Sequence, residues 1–335
     1  AMTTRDKMRD AKSDKDRARG LVALARGKKT VTDLKKALRA VTSELAETIE
    51  ERDVLAACVS TDLKPIKIAH SEIEKSERLP ILVLSDTHIE ERVDAPTVNG
   101  LNKHNLKLAR LKHEKWAETA VRFVRQEQEQ GPVNRVVLAI LGDLVSGHIH
   151  REFLEICELT PTECVPELVN LLTSCIDFLL VEFDGELLIP CCGGNHGRDT
   201  IKRQIATGPK HCYETAVYQV LAAHYRDNER VTFSIATGPE LTINVGGYKI
   251  NVWHGDRLSG GGGHAGIIPA LANFLNKSDH DVDLDIIGHF HTFGLLKRRA
   301  IVNGSMIGYS PYAMWYGLPY EPPIQALASV HLKTK

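Results

Sequence analysis

Apolar residues recur along this chain in two rhythms. Between Thr30 and about Ala57, Val31, Leu34, Leu38, Val41, Leu45 and Ile49 fall three or four residues apart. That spacing places them on one stripe of an amphipathic helix. Thr30 or Thr32 can cap its start. The short apolar segment Leu21–Ala25 just before it fits a helical hairpin or a small helix-turn-helix unit.

Beyond Asp62-Leu-Lys-Pro65 the apolar runs shorten and each ends in a polar tip. The pattern predicts strands at Leu79–Leu84, in NRVVLAILGD and in ELLIPCCGGNH. Helices are expected over Asn102–Glu127, Glu163–Leu180 and His211–Tyr225. In the first of these, Leu108, Leu111, Trp116, Ala120, Phe123 and Val124 form the expected inner face. VTFSIA, ELTINVGGYKINVWHGD, DLDIIGHFHT and AIVNGSMIG then follow as closely spaced strands. No internal repeat or low-complexity block interrupts the series. Strands alternating with helices, then strands in succession, predict an α/β layered domain over residues 77–335, preceded by a helical extension over residues 1–76.

Composition refines this picture. With 43% apolar and 25% charged residues, the 335-residue chain can bury one large core, or a core and a small appendage. The longest apolar stretch, near Leu168–Val181, carries Asn170, Ser174 and Asp177, so no membrane helix is expected. The seven cysteines (Cys58, Cys157, Cys164, Cys175, Cys191, Cys192, Cys212) are odd in number and lack C-x-x-C spacing. That argues against a disulfide framework or a thiolate zinc site, and for a reducing, cytoplasmic setting. Cys191 and Cys192 read as small apolar residues at a strand end. The net charge of −1 hides an asymmetry: residues 1–40 hold 13 Lys/Arg against 5 Asp, a surplus of +8. A basic arm of this kind docks on nucleic acid by displacing counterions, or else is a solvated tail.

Five predicted strands end in residues able to bind a cation: Asp86 and His88 in SDTH, Asp143 in LGD, Asn195 and His196 in GGNH, His254 in WHGD, and His289 and His291 in GHFH. Tips of neighbouring strands converge on one edge of a sheet, where α/β proteins place their sites. Side chains two apart on a strand point the same way, which would present Asp86 with His88 and His289 with His291. Carboxylate, amide and imidazole donors without thiolate suit Mn²⁺, Fe, Zn²⁺ or Ni²⁺. Seven ligands exceed one ion's needs and match two ions sharing a carboxylate, about 3.5–4 Å apart, as in displacement at phosphorus. His104, His113, His224 and His331 stand outside these motifs and read as ordinary core or surface histidines.

The ordered set D-x-H, GD, GNH, H and GHxH resembles the calcineurin-like metallophosphoesterase superfamily, over Leu79 to about Gly308. The resemblance implies a four-layer α/β/β/α sandwich with two divalent metal ions, Mn²⁺ foremost. It implies Asp86, His88 and His291 on one metal, Asn195, His254 and His289 on the other, and Asp143 bridging. His196 is then the catalytic residue, stabilising phosphoryl charge or protonating the leaving oxygen. The two cations supply a nucleophile by lowering the pKa of bound water. Gly193 and Gly194 are expected to clear space for substrate and metals. Gly197 stands where many relatives carry an acid that orients the histidine, a task left here to another group such as Asp199. GDLVSGHIH lacks the D-R-G of phosphoprotein phosphatases. With GNHGRDT it is most similar to DNA-repair-exonuclease-like enzymes of phage and prophage genomes, which implies a cytoplasmic protein of a bacterial host.

Arg198 and Arg257 lie close to ligands and are candidates to hold a substrate phosphate bidentately, or to pair with surface acids. His148 and His150 follow Asp143 closely and are candidates to touch substrate. SGGGGHAG reads as a site loop, and the aromatic segment SPYAMWYGLPYEPP as a base-stacking surface or a cover for the sheet edge. The expected function is a two-metal phosphodiesterase acting on DNA, a nuclease, with the basic arm holding the polyanion. The alternatives are hydrolysis of small nucleotides, cyclic nucleotides or phosphomonoesters, with homo-oligomer assembly through the N-terminal helix, and a non-catalytic metal-bearing scaffold.

Overall fold

The computed structural model describes residues 14–19, 31–60, 77–258, 264–277 and 281–332. The chain divides into two compact units, Ala1–Glu72 and Ile73–Lys335. In the first, residues 14–19 form a short helix (α1), and Val31–Ser60 form a 30-residue helix (α2). Of the stripe read from the sequence, Leu34, Leu38, Val41, Leu45 and Ile49 lie along α2 and are exposed, Leu38 at 67% and Leu45 at 58%. The segment Leu21–Ala25 lies outside the described residues.

The second unit is mixed α/β, with two five-stranded mixed sheets. In the first sheet, β1 (Arg78–Leu84), β2 (Arg135–Ile140), β3 (Glu186–Cys191) and β4 (Val231–Ile235) run parallel in that order. An antiparallel edge strand, β10 (Leu327–His331), closes on β1. In the second sheet, β6 (Tyr248–Trp253), β7 (Leu284–Ile287) and β9 (Ala300–Val302) run parallel, flanked by antiparallel β5 (Leu241–Val245) and β8 (Gly294–Leu296).

The continuous apolar runs of β1 and β2 form strands because both faces of that sheet are covered. Alternate residues go to different clusters. Leu82, Leu84, Val136, Leu138 and Ile140 join the helices α3 (Leu106–Gln130), α5 (Pro161–Glu182) and α6 (Tyr213–His224). Leu79, Ile81, Val83, Val137, Ala139 and Leu141 share a second cluster with Val245, Ile250, Val252, Leu284 and Ile286 of the other sheet. The vicinal cysteines split the same way, Cys191 to the first cluster and Cys192 to the second. A third cluster joins Trp253, Ile287, Ala300 and Val302 to Ile267, Leu271 and Leu275 of α7 (His264–Lys277).

Helix starts follow local chemistry. Asn105 caps α3 by accepting from the Leu108 N–H at 2.9 Å. Thr160 and Glu163 make a reciprocal capping box ahead of Pro161 in α5.

Several expectations need correction. The inner face of α3 is Ala109, His113, Trp116, Ala117, Ala120, Val121 and Val124, while Leu111 is exposed. Burial follows the 3.6-residue period, and Leu111 falls off that stripe. By length and composition α5 is apolar enough to cross a membrane, contrary to the sequence expectation. Its Leu168, Leu172, Ile176 and Leu179 are instead buried in the core. β8, β10 and α7 were not predicted: β8 is three residues long, β10 is half-buried, and α7 follows a glycine run that blurs its start. Most of SGGGGHAG lies outside the described residues.

Candidate metal centre

The parallel strands end at matched heights. Leu84 pairs with Ile140, and Ile140 with Cys191, in the first sheet; Trp253 pairs with Ile287 in the second. The candidate ligands leave from just beyond these ends. They do not sit on the strands, so the two-residue strand period is not what aligns Asp86 with His88 or His289 with His291. Each of the four, and Asp143, takes a left-handed backbone: φ is 52° at Asp86, 43° at His88, 48° at Asp143, 71° at His289 and 51° at His291. Non-glycine residues adopt this region at a cost, and such outliers concentrate at functional sites. The sharp turns fold the tips over, so that side chains from both sheets meet.

Two groups of donors converge. Asp86, His88 and His291 place their ligand atoms within 4.8 Å of one another, and so do Asp143, His254 and His289. In the first group, His88 Nε2 and His291 Nε2 lie 3.3 Å apart, and His291 Nε2 is 3.4 Å from Asp86 Oδ1. In the second, His254 Nε2 lies 2.9 Å from Asp143 Oδ2 and 3.1 Å from Asn195 Oδ1.

The opposite ring nitrogens are committed elsewhere, and this sets the tautomers. The Leu141 carbonyl, 2.7 Å from His254 Nδ1, can only accept, so His254 Nδ1 carries a hydrogen and Nε2 is the nitrogen that faces Asp143 and Asn195. Ser146 Oγ–H donates to Glu91 Oε2 at 2.7 Å and so accepts from His88 Nδ1 at 2.9 Å, which again frees Nε2. Partners of this kind orient metal-binding histidines. Asp86 is held by the Ser85 hydroxyl at 2.5 Å and the His289 N–H at 3.0 Å; Ser85 in turn accepts from Asn303 Nδ2 at 2.8 Å.

The electrostatics favour cations. Burial, reinforced by His196 and His291, pushes His88 well below its ordinary pKa, and burial takes His289 down to about 4. Both therefore stay neutral, as ligands must be. Burial on its own would raise Asp143, yet His254 and His196 hold it well below the carboxylate range. Burial on its own would lower His254, yet Asp143 raises it well above its ordinary value. The field that draws a proton to His254 Nε2 also draws a metal ion. The residues present fit two divalent cations, one for each cluster.

His196 sits beside the clusters, its ring centroid 5.1 Å from that of His88, 5.5 Å from Phe153 and 6.1 Å from His150. Its Nδ1 meets the Ser146 carbonyl at 3.2 Å, an atom that can only accept, so Nδ1 carries a hydrogen. Asp199 does not orient this ring; it faces His211 Nδ1 at 3.0 Å. A Cβ at Gly194 would lie 2.0 Å from Asp143 Oδ1, and one at Gly193 would lie 2.8 Å from Cys212 Sγ, so these glycines make room for the Asp143 loop and for Cys212.

His150 is exposed beside Phe153 and His196, while His148 is exposed without a ring contact among the described residues. The Arg198 guanidinium is engaged by the carbonyls of Asn195, Thr200 and Ile201. Arg257 pairs with Glu240 at 2.7 Å and lies over the Trp253 ring. Both arginines therefore brace the loops in this structure.

Sequence reasoning missed Ser146, Glu90, Glu91, Asn303 and Glu214. Ser146 lay inside the quoted GDLVSGHIH, but nothing marked it as the link between His88 and His196. Glu90 Oε1 accepts the N–H groups of Ser146 and Gly147 at 2.7 and 2.9 Å, and burial lifts its pKa to about 8.

No family model matches this chain, and no curated protein matches it. Among solved structures, wild-type Vps29 of Entamoeba histolytica in complex with zinc is similar, with a TM-score of 0.29 and 14% identity. That likeness covers 75% of this chain and 84% of that one.

Proposed function

We propose that the chain is a two-metal phosphoesterase of the calcineurin-like metallophosphoesterase superfamily, with a phosphodiester substrate. The observation that carries this reading is the pairing of the Asp86/His88/His291 cluster with the Asp143/His254/His289 cluster beside His196. The four-layer sandwich belongs to the same reading, supported by the apolar cluster common to both sheets and by those on their outer faces. Asp86, His88 and His291 would hold one ion, Asn195, His254 and His289 the other, and Asp143 both. Two such ions polarise a phosphoryl oxygen and lower the pKa of water.

The chain's own groups do the rest. The Ser146 carbonyl keeps a hydrogen on His196 Nδ1, so protonated His196 donates from Nε2 to the departing oxygen. His150, on the same flank, is the candidate substrate contact. Arg198 and Arg257 serve that role only if their present bonds are exchanged for a phosphate.

DNA is the proposed substrate, supported by the +8 surplus over residues 1–40. The aromatic segment adds to it: Tyr312 and Trp315 of α8 (Pro311–Trp315) are 62% and 84% exposed. A second reading has one specific observation in its favour. The exposed stripe of α2 suits assembly, which leaves the site to a small nucleotide or phosphomonoester. The helix is basic over residues 31–39, with Lys35, Lys36 and Arg39 against Asp33. It is acidic over 44–53, with Glu44, Glu47, Glu50, Glu51 and Asp53 against Arg52. Two copies would therefore pair antiparallel. Manganese as native metal and a cytoplasmic, phage-encoded origin complete the proposal.

The test is hydrolysis of bis-p-nitrophenyl phosphate, p-nitrophenyl phosphate and labelled single- and double-stranded DNA. Each is assayed after chelation and after return of Mn²⁺, Ni²⁺ or Zn²⁺. Metal-dependent turnover of the diester supports the reading. No turnover with any metal by a folded, metal-loaded protein would leave the scaffold alternative.

A further inference from the structure

Glu214 is the second residue of α6 and is fully buried. Its two carboxylate oxygens face two different loops of the metal centre. Oε1 accepts the N–H of Leu144 at 2.6 Å, one residue past Asp143. Oε2 accepts the N–H of Gly194 at 2.7 Å, one residue before Asn195, and the Cys212 thiol at 3.6 Å. A Cβ at Gly197, one residue past His196, would lie 2.9 Å from Glu214 Cδ and 3.0 Å from its Cγ. The carboxyl thus fills the space where a side chain following His196 would lie.

We infer that Glu214 is a positioning residue that clamps the Asp143 loop to the Asn195–His196 loop, and so sets the spacing of bridging carboxylate, amide ligand and imidazole. The inference rests on the two-metal phosphoesterase reading for its effect on turnover. The clamp itself rests on the hydrogen bonds alone. The buried Leu144 N–H and the half-buried Gly194 N–H both need acceptors, and among side chains only a carboxylate offers one on each branch. An amide in its place would turn an N–H₂ towards one of the two donors. Because both bonded residues adjoin the proposed ligands, loss of the clamp would act on metal retention and turnover.

The placement of Gly197 supplies a transplant test. Its φ lies outside the left-handed region, so a side chain there brings no backbone strain, and its Cβ direction already points at the Glu214 carboxyl. Glu214→Gln, Glu214→Ala and the double variant Glu214→Ala/Gly197→Glu are made in the full chain and checked for folding by circular dichroism. The readouts are metal content, kcat and KM on bis-p-nitrophenyl phosphate, and amide hydrogen exchange at Leu144 and Gly194.

Both single variants are expected to lose metal and to drop kcat about 10–100-fold, with smaller changes in KM. Exchange at the two amides should accelerate. The double variant, which returns a carboxylate from the other loop, is expected to regain at least about tenfold in kcat over Glu214→Ala. Where Glu214→Ala fails to fold, Glu214→Gln carries the comparison. Wild-type metal content and kcat in folded Glu214→Gln would overturn the inference, and so would unchanged exchange at both amides. A wild-type protein that holds no metal and cleaves nothing would instead overturn the phosphoesterase reading, and the exchange data would still decide the clamp.

Discussion

The backbone N–H of His196 donates to Asp143 Oδ1 at 2.8 Å, while Asp143 Oδ2 faces His254. One carboxylate therefore touches the proposed catalytic loop with one oxygen and a ligand of the second cluster with the other. His196 is tied to the centre by its backbone, and its ring is held separately by the Ser146 carbonyl.

The first prediction concerns the shared acid. Asp143→Asn keeps the shape and an acceptor for the His196 N–H but removes the charge that both ions would use. Both ions should be lost together, read by elemental analysis of the purified protein. Retention of two ions per chain in this variant would refute the bridging assignment.

Removing the His196 ring should leave metal content nearly unchanged, because the bond to Asp143 comes from the main chain. His196→Ala is expected to lower turnover of a diester by about 10²–10⁴-fold, the range typical of lost acid–base or charge stabilisation. Wild-type turnover would assign His196 a purely structural role.

Deleting the basic arm separates the two readings of its role. If residues 1–40 hold DNA, the truncated protein should bind DNA more weakly with a flatter salt dependence, since fewer counterions are released. Its hydrolysis of a small chromogenic diester should be unchanged, since every candidate ligand lies beyond residue 80. If α2 pairs with a second copy, light scattering should instead show a fall in mass with the salt slope intact. A truncation that altered neither quantity would remove the arm from both proposals.

Stability should depend on pH through His113 of α3, which belongs to neither donor cluster. Burial lowers its pKa from 6.5 to about 4, its Nδ1 meets the Ala109 carbonyl at 2.8 Å, and its Nε2 is buried with no hydrogen-bond partner among the described residues. The unfolded chain binds the proton more readily, so the contribution is complete above pH 6.5 and is lost as pH falls through about 4. That difference corresponds to about 3 kcal/mol. Urea unfolding of wild type and His113→Leu at pH 7.5 and 4.5 measures it: the gap between the two proteins should shift in favour of the variant at the lower pH. A gap independent of pH would show that His113 does not titrate in this window.

What the sequence determined by itself was local. Short apolar runs become strands where both faces can be buried, so β1, β2, β3, β6 and β7 were legible from Leu, Ile and Val alone. The chemistry stood at the end of each run, because a strand end is where a polar side chain can leave the core. The helix periods were legible for the same reason, since the residues that share a helix face lie within one or two turns of each other. What tertiary structure alone decided were relations between distant segments. The left-handed turns at Asp86, His88, Asp143, His289 and His291 fall on non-glycine residues, whose side chains give no local signal for that backbone. Asn303 reaches Ser85 across 218 residues, and Glu214 reaches Leu144 across 70. Arg198 and Arg257 looked poised for phosphate, yet their guanidinium groups met protein carbonyls and a carboxylate first. A side chain's chemical type is written in the sequence, but its partner is whichever group the fold brings within hydrogen-bonding reach.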